Sequence, residues 1–300
     1  MTVPALRDAR RLVVKIGSAL LVEERTGRLH RQWLEALVAD LAERHGAGTE
    51  VLVVSSGAVA VGRRALRLDG NALKLEEKQA AAAAGQIQLA HAYQETFARH
   101  GLPVAQVLMT LEDSEHRRRY LNARSTLSTL LRMGAVPVVN ENDTVGTQEI
   151  RFGDNDRLAA RVAQMVEADT LVLLSDIDGL YTADPAADPD ARLIPEVDAI
   201  TPEISAMAGE PRSGHGTGGM VTKLAAARVA MGPGCRMAIV DGKPLDPLKR
   251  LDRREGGTWF VPSEEPRTAR KHWIAAGLAR WRDWLLLGWY DFTFMHRKTV

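Results

Sequence analysis

Short runs of apolar residues alternate along the chain with longer segments whose apolar positions recur every three or four residues. The short runs predict β-strands at 11–17, 50–55, 104–109, 135–140, 170–175 and 236–241. The longer segments predict helices over 31–45, 75–100, 113–133, 156–167 and 220–231. In the first of these helices Leu34, Leu37, Val38 and Leu41 share one face, which we expect to pack on a core.

Strands that are apolar throughout and separated by helices are typical of a parallel sheet covered on both faces. We therefore predict an α/β fold, a three-layer αβα sandwich around a central, mostly parallel sheet. Ligands of such sheets bind beyond the carboxyl ends of the strands. Four polar groups follow strands and are expected at that edge, namely Lys15–Gly17, Ser55–Gly57, Asn140–Asp143 and Ser175–Asp176.

Composition narrows the possible functions. The chain has 300 residues, and its 39 Lys and Arg residues balance its 38 Asp and Glu residues, so we expect neither a nucleic-acid partner nor a membrane surface. The single cysteine, Cys235, rules out an internal disulfide framework and fits a reducing compartment. Because the N-terminus lacks signal-peptide features and no apolar run approaches the roughly 20 residues of a membrane span, we expect a cytoplasmic enzyme.

The pattern changes near residue 258, after which most of the six tryptophans occur and strands no longer alternate with helices. We predict that residues 1–262 form one domain that holds the chemistry. Residues 263–300 are predicted to be a short, poorly packed tail.

Lys15 interrupts the first apolar strand with an ammonium group. One interpretation is an edge-strand lysine whose side chain reaches solvent. The other is a cation held over phosphate oxygens, since Gly17 and Ser18 follow at the strand's carboxyl end. The position of Lys15 alone leaves both open.

The Gly-rich segment 214–223 precedes a predicted helix and places Lys223 in its first turn, where the helix dipole disfavours a cation. A bound phosphate would remove that conflict, which favours a phosphate site over an ordinary surface loop. Gly214, Gly216 and Gly219 also form a literal GxGxxG, with Asp241 further on. The segment before it reads as helix and loop, so the context of a dinucleotide site is missing, and a P-loop does not fit either.

Acids and amides are concentrated in Asn140–Asp143 and Asp154–Asp156. The second group does not fit a calcium loop and is better explained as a helix N-terminus with Asp154 or Asn155 as its cap. Capping does not account for the first group as well. Together they suit the ammonium and carboxylate of an amino acid, although turn-forming Asx residues remain the alternative.

Eight segments in this order, across roughly residues 10–260, resemble the glutamate 5-kinases of the amino-acid-kinase family. They are VVKIGSALL (13–21), VVSSGAVAVGRR (53–64), KQAAAAAGQ (78–86), YLNARSTL (120–127), VPVVNENDTV (136–145), FGDNDRLAA (152–160), LLSDIDGLYTADP (173–185) and SGHGTGGMVTK (213–223). The resemblance implies the amino-acid-kinase fold and ATP-dependent phosphorylation of the γ-carboxylate of L-glutamate, the first step of proline biosynthesis.

The resemblance also implies roles for individual residues. Lys15, Lys223 and Asp156 would be catalytic, with Asp156 orienting the two lysines. Ser56, Asp143 and Asn155 would bind glutamate. ATP would be held by Lys15, Ser175, Asp176, Thr217, Gly218, Gly219, Met220, Val221, Thr222 and Lys223. Magnesium would be carried mainly by the ATP phosphates, with no protein ligand predicted.

The family further suggests a homo-oligomer, feedback inhibition by proline and cooperation with glutamyl phosphate reductase. Residues 268–274 resemble the opening of a PUA domain, so the tail is expected to be a truncated or aberrant form of that domain. Three other functions stay open: a related kinase with another acceptor such as acetylglutamate, an NAD-dependent dehydrogenase, and a catalytically weak nucleotide-binding regulator.

Overall fold

Eight β-strands form one sheet in the computed structural model, which describes residues 5–23, 26–68, 73–146, 154–209 and 219–262. The strands are β1 (Arg11–Ile16), β2 (Glu50–Val54), β3 (Val104–Met109), β4 (Val136–Glu141), β5 (Thr170–Ser175), β6 (Glu196–Val197), β7 (Arg236–Asp241) and β8 (Thr258–Phe260). Their order across the sheet is β3-β4-β2-β1-β5-β7-β8-β6. All pairs are parallel except β7 with β8.

A short 3-10 helix (Leu6–Asp8) and ten α-helices occupy the described part of the chain. The α-helices are α1 (Ser18–Leu21), α2 (Arg31–Gly46), α3 (Ala58–Ala65), α4 (Leu75–Ala98), α5 (Leu111–Glu115), α6 (Arg117–Arg132), α7 (Asp154–Met165), α8 (Pro202–Ala206), α9 (Met220–Met231) and α10 (Pro247–Asp252). Within these ranges no helix combines the length and the apolarity that a membrane crossing requires.

The predicted α/β sandwich is confirmed, because both faces of the sheet are buried against helices. Leu12 and Val14 of β1 pack in one apolar cluster with α2 and α4, whereas Val13 packs in a second cluster with α7 and α9. This division follows from the alternation of side chains along a strand. It also assigns Lys15 to the face that α7 and α9 cover.

The six predicted strands are confirmed, with ends that differ by at most one residue. The helical segment predicted near 113–133 is confirmed, but it is divided into α5 and α6 at His116, whose backbone is extended at the N-cap of the second helix. Strands β6, at one edge of the sheet, and β8, beside it, have only two and three residues, too few for an apolar pattern to indicate them. The predicted tail, 263–300, lies outside the described residues.

Helices α3 and α4 approach each other at Gly62 and Gly85 so closely that no residue with a Cβ atom would fit at either position. A Cβ added to Gly62 would lie 1.7 Å from the Ala81 carbonyl oxygen, and one added to Gly85 would lie 1.9 Å from that of Ala58. The two glycines therefore let backbone contact backbone. This contact fixes α4 against the segment that follows β2.

We expect Gly85→Ala to lower the free energy of unfolding by about 1–3 kcal/mol, because the new methyl group must push the two helices apart. Urea unfolding would measure the change. Gly46→Ala is the matched control, since a Cβ there has no atom within 4 Å. Equal stability of the Gly85→Ala variant and the wild type would contradict this account of the contact.

Candidate active site

The predicted polar groups meet at the carboxyl edge of the sheet because β1, β2, β4 and β5 are adjacent and parallel. Lys15 of β1 lies opposite Val54 of β2, and Ile16 lies opposite Leu174 of β5. The residues that follow these strands are therefore neighbours. Gly17 joins this edge by donating its N–H to the Leu174 carbonyl at 3.3 Å.

Lys15, Asp156 and Lys223 form a buried charge cluster at this edge, named here the charge triad. Lys15 Nζ lies 2.6 Å from Asp156 Oδ1, and Lys223 Nζ lies 3.2 Å from Asp156 Oδ2. Asp156 has no exposed surface, and Lys223 and Lys15 are 3% and 8% exposed. Lys15 belongs to a central strand and is buried, so its interpretation as an edge-strand lysine is wrong.

The first turns of two neighbouring helices supply the other members of the triad. Asp156 lies in the first turn of α7, where a carboxylate is favoured, and Lys223 lies in the first turn of α9, where an ammonium is not. The Asp156 carboxylate accepts a hydrogen bond from Lys223, so it already offsets the conflict that the sequence raised. The position of Lys223 is thus explained without a bound phosphate.

The pKa values in the triad follow from burial and from charge. Burial disfavours the charged form of Asp156, but the Lys15 and Lys223 ammonium groups outweigh it and hold the Asp156 pKa below its ordinary 3.8. Burial lowers the pKa of Lys223 below its ordinary 10.5, although the Asp156 carboxylate acts in the opposite direction. Lys223 therefore holds its proton less tightly than a lysine in water.

Thr222 and Ser175 place polar groups beside the triad. The Thr222 hydroxyl lies 2.8 Å from the Gly219 carbonyl oxygen and 3.2 Å from Asp156 Oδ2. The Ser175 hydroxyl donates to Asp176 Oδ1 at 3.1 Å. The Asp176 carboxylate is near enough to Lys223 to favour its charged form.

The remaining predicted ATP residues are only partly described. Gly219 is the N-cap of α9, and Met220 and Val221 are its first residues. Met220 is half-buried and Val221 is 44% exposed. Thr217 and Gly218 lie outside the described residues.

An amide cluster lies on the other side of the edge. Asn155 Nδ2 lies 2.8 Å from Ser56 Oγ, 3.0 Å from the Ser55 carbonyl oxygen and 3.2 Å from Asn140 Oδ1. Asn140 is 2% exposed at the end of β4. Asp143 is half-buried in the turn that follows β4. Gln79 of α4 stabilises this turn by donating a hydrogen bond from its side-chain amide to the Gly146 carbonyl at 2.9 Å. The structure thus joins Ser56 directly to Asn155, whereas Asp143 follows the end of β4, the strand that carries Asn140.

Sequence reasoning missed three residues that support the site. Gln86 and Tyr93, on the buried face of α4, contact Asn140 and Ser55 respectively, at 2.8 and 3.0 Å. The signal was available, because the two residues are seven positions apart, which places them on one helix face. Lys243 was also missed: it follows β7, and its Nζ donates to the Asp176 carbonyl at 2.8 Å.

The described residues contain no group of three or more His, Cys, Asp or Glu side chains placed to hold a metal ion. The carboxyl edge of the sheet carries two groups of polar side chains. The first is a buried, partly neutralised pair of ammonium groups next to a helix N-terminus, and the second is the neighbouring set of amide and hydroxyl groups. The first suits phosphate oxygens, and the second suits a small polar molecule.

Comparison with known proteins gives one family. Residues 10–241 match the model of the Amino acid kinase family. The chain is 68% identical over 269 residues, covering 90% of this chain and 72% of the relative, to the glutamate 5-kinase of Paramagnetospirillum magneticum. It is 60% identical over 271 residues, covering 90% of this chain and 74% of the relative, to the glutamate 5-kinase of Dinoroseobacter shibae.

Solved structures show the same fold at low identity. The carbamate kinase from Giardia lamblia bound to AMP-PNP matches with a TM-score of 0.59 and 16% identity, over 86% of this chain and 100% of that one. The UMP kinase from Bacillus anthracis matches with a TM-score of 0.57 and 13% identity, over 85% of this chain and 97% of that one. These likenesses confirm the predicted fold.

We expect Asp156→Asn to lower the free energy of unfolding by about 3–5 kcal/mol at neutral pH, because two buried ammonium groups lose their counter-charge. Urea unfolding would measure it, with the exposed Asp198→Asn as control. Since the Asp156 pKa is lowered in the folded protein, its stabilisation is complete above the ordinary value of 3.8 and is lost as the pH falls through the folded value. The difference from the wild type should therefore shrink below about pH 4, and a pH-independent difference would contradict the assignment.

Proposed function

The chain belongs to the amino acid kinase family, in its glutamate 5-kinase branch, and from this premise we propose that it transfers the γ-phosphoryl group of ATP to the γ-carboxylate of L-glutamate. The observation that carries the proposal is the convergence of Lys15 and Lys223 on the buried Asp156. The product would be L-glutamyl 5-phosphate, and the reaction would be the first step of proline biosynthesis.

The reaction needs charge stabilisation more than proton transfer. A carboxylate oxygen forms a bond to the γ-phosphorus while the bond from that phosphorus to the β–γ bridging oxygen breaks and ADP leaves. The acceptor is ionised at neutral pH, so no general base is required. The difficulty is bringing an anion against the phosphates and neutralising the charge of the transferring group. Lys15 and Lys223, held in place by Asp156, suit that task.

The nucleotide side would consist of the first turn of α9 and the ends of β5 and β7. Backbone N–H groups at a helix N-terminus favour phosphate, and Lys223 lies in that turn. Lys243 donates a hydrogen bond to the backbone carbonyl of Asp176, and Asp176 is one of the predicted ATP contacts. Magnesium would be bound by the phosphates of the nucleotide, where it would help to neutralise them.

The acceptor side favours a molecule with a donor group. Asn155 Oδ1 is buried and has no hydrogen-bond partner among the described residues, so it is available to accept from the ammonium group of glutamate. Ser56 follows β2 and Asp143 follows β4, two strands that pair with each other in the sheet. The ammonium group of glutamate can donate to this acceptor, and the choice of glutamate over acetylglutamate is supported by the relatives, which are glutamate 5-kinases.

An ATP-consumption assay with a panel of acceptors tests the proposal. We expect ADP release with L-glutamate and not with N-acetylglutamate, aspartate or carbamate. Hydroxylamine, which converts acyl phosphates to hydroxamates, should trap one product per ADP. ADP release with acetylglutamate alone would favour the related kinase, and no acceptor-dependent release would favour the nucleotide-binding regulator.

The NAD-dependent dehydrogenase has less support. It requires a strand directly before the glycines of 214–219, whereas the described residues that precede them form α8 (Pro202–Ala206). The relatives named above are glutamate 5-kinases.

The family resemblance also leads us to propose a homo-oligomer, feedback inhibition by proline near the glutamate site, and cooperation with glutamyl phosphate reductase, which would consume a labile acyl phosphate. ATP consumption and the buried free thiol of Cys235 fit the cytoplasm.

Lys223→Met should lower kcat by roughly 10²–10³-fold while the KM for glutamate changes little, because the ammonium acts on the transferring phosphoryl group. Steady-state kinetics would separate the two constants. Lys249→Met is the control, since that lysine is half exposed and pairs with Glu43 on the surface. A rise in the KM for glutamate as large as the fall in kcat would count against the role.

Asp143→Ala should instead raise the KM for glutamate by on the order of tenfold or more, because a charge-assisted contact to the substrate is lost. The KM for ATP should stay the same. Titrating each substrate separately, with Asp198→Ala as the exposed control, provides the measurement. A parallel loss of ATP affinity would show that Asp143 acts on the fold of the site.

A further inference from the structure

Gln86 is a buried amide that touches the acceptor side without lying on a strand end. It lies on the inner face of α4 with 8% of its surface exposed. Its Oε1 accepts a hydrogen bond from Asn140 Nδ2 at 2.8 Å. Because the neighbouring Gly85 holds α4 in backbone contact with α3, the position of Gln86 is fixed.

Two contacts together set one of two orientations of the Asn140 amide: the backbone N–H of Glu141, which can only donate, requires the amide oxygen, and Gln86 Oε1 accepts from the amide nitrogen on the other side. With Nδ2 directed at Gln86, Asn140 Oδ1 accepts from the Glu141 N–H at 2.9 Å and from Asn155 Nδ2 at 3.2 Å. Half a turn of the amide would direct its NH₂ group at these two donors. A donor facing two donors is unfavourable in a buried site.

Asn140 Oδ1 and the Ser55 carbonyl oxygen together set the orientation of the Asn155 amide. Asn155 Nδ2 is directed at three acceptors, which are Asn140 Oδ1, the Ser55 carbonyl oxygen and Ser56 Oγ. The Asn155 oxygen is therefore on the other side of its amide, buried and without a partner among the described residues. That oxygen is the acceptor proposed above for the substrate ammonium group.

We propose that Gln86 is a positioning residue for the amino-acid acceptor: its Oε1 helps to orient Asn140, Asn140 helps to orient Asn155, and Asn155 Oδ1 thereby stays available to the ammonium group of the substrate. The inference rests on the proposed function, because it assumes an amino acid with a free ammonium group. It predicts that Gln86 governs recognition of that group and contributes little to nucleotide binding.

Binding of L-glutamate and of glutarate, which has the same two carboxylates and no amino group, isolates this effect. Gln86→Met keeps the length of the side chain and removes the acceptor, and we expect the Kd for glutamate to rise on the order of tenfold with the Kd for glutarate unchanged. Gln86→Glu keeps an acceptor oxygen and should preserve more of the preference. Gln88→Met, on the exposed face of the same helix, should change neither Kd.

Isothermal titration of each variant gives these constants, and thermal unfolding checks the fold. If Gln86→Met does not fold, Gln86→Asn serves in its place, since its acceptor falls one methylene short of Asn140. Equal changes in both Kd values, no change in either, or equal effects of Gln86→Met and Gln86→Glu would overturn the inference. Absence of glutamate-dependent ADP release by the wild type would overturn the proposed function itself, whereas an active wild type with an unaltered preference in Gln86→Met would overturn the role of Gln86 alone.

Discussion

Two ammonium groups and one carboxylate, buried together at the middle of the sheet, are the constraint on which the rest of the structure depends. Removing charges from water costs several kcal/mol for each ion, and their attraction offsets this only when their geometry is right. Lys15 and Lys223 meet this condition through one partner, since each contacts a different oxygen of Asp156. The fold must therefore bring three distant parts of the chain to one point.

The parallel sheet brings the three residues together through the alternation of side chains along β1 and through the edge at which α7 and α9 begin. Alternation along β1 directs Lys15 to the side of the sheet that α7 and α9 cover, and these two helices begin at the same edge and present Asp156 and Lys223 from their first turns. The amide cluster joins Asn140, at the end of β4, to Asn155, in the first turn of α7. Charges that would act on the phosphate and amides that would recognise the acceptor are thus separate groups on one rigid edge, which suits a transfer that depends on positioning.

Much of this arrangement could be predicted from the sequence, because apolar runs define strands and the ends of parallel strands share an edge. The pattern could not show that β1 is central, so Lys15 remained ambiguous until strand order settled its burial. It attributed the placement of Lys223 to a bound phosphate, whereas Asp156, from another helix, already balances the charge. Gln86 was passed over because a polar residue in an Ala-rich helix gives no sign of its partner. Strand order and contacts between helices arise from tertiary packing, which local patterns do not encode.

The central claim is that Lys15 and Lys223 act as one unit on the transferring phosphoryl group through Asp156. A double-mutant cycle on kcat, with Lys15→Met, Lys223→Met and the combined variant, tests it most directly. Residues that act as a unit are strongly non-additive, so the account predicts that the combined variant is scarcely slower than the slower single variant. A combined loss equal to the product of the two single losses would show that the lysines act independently and would contradict the account.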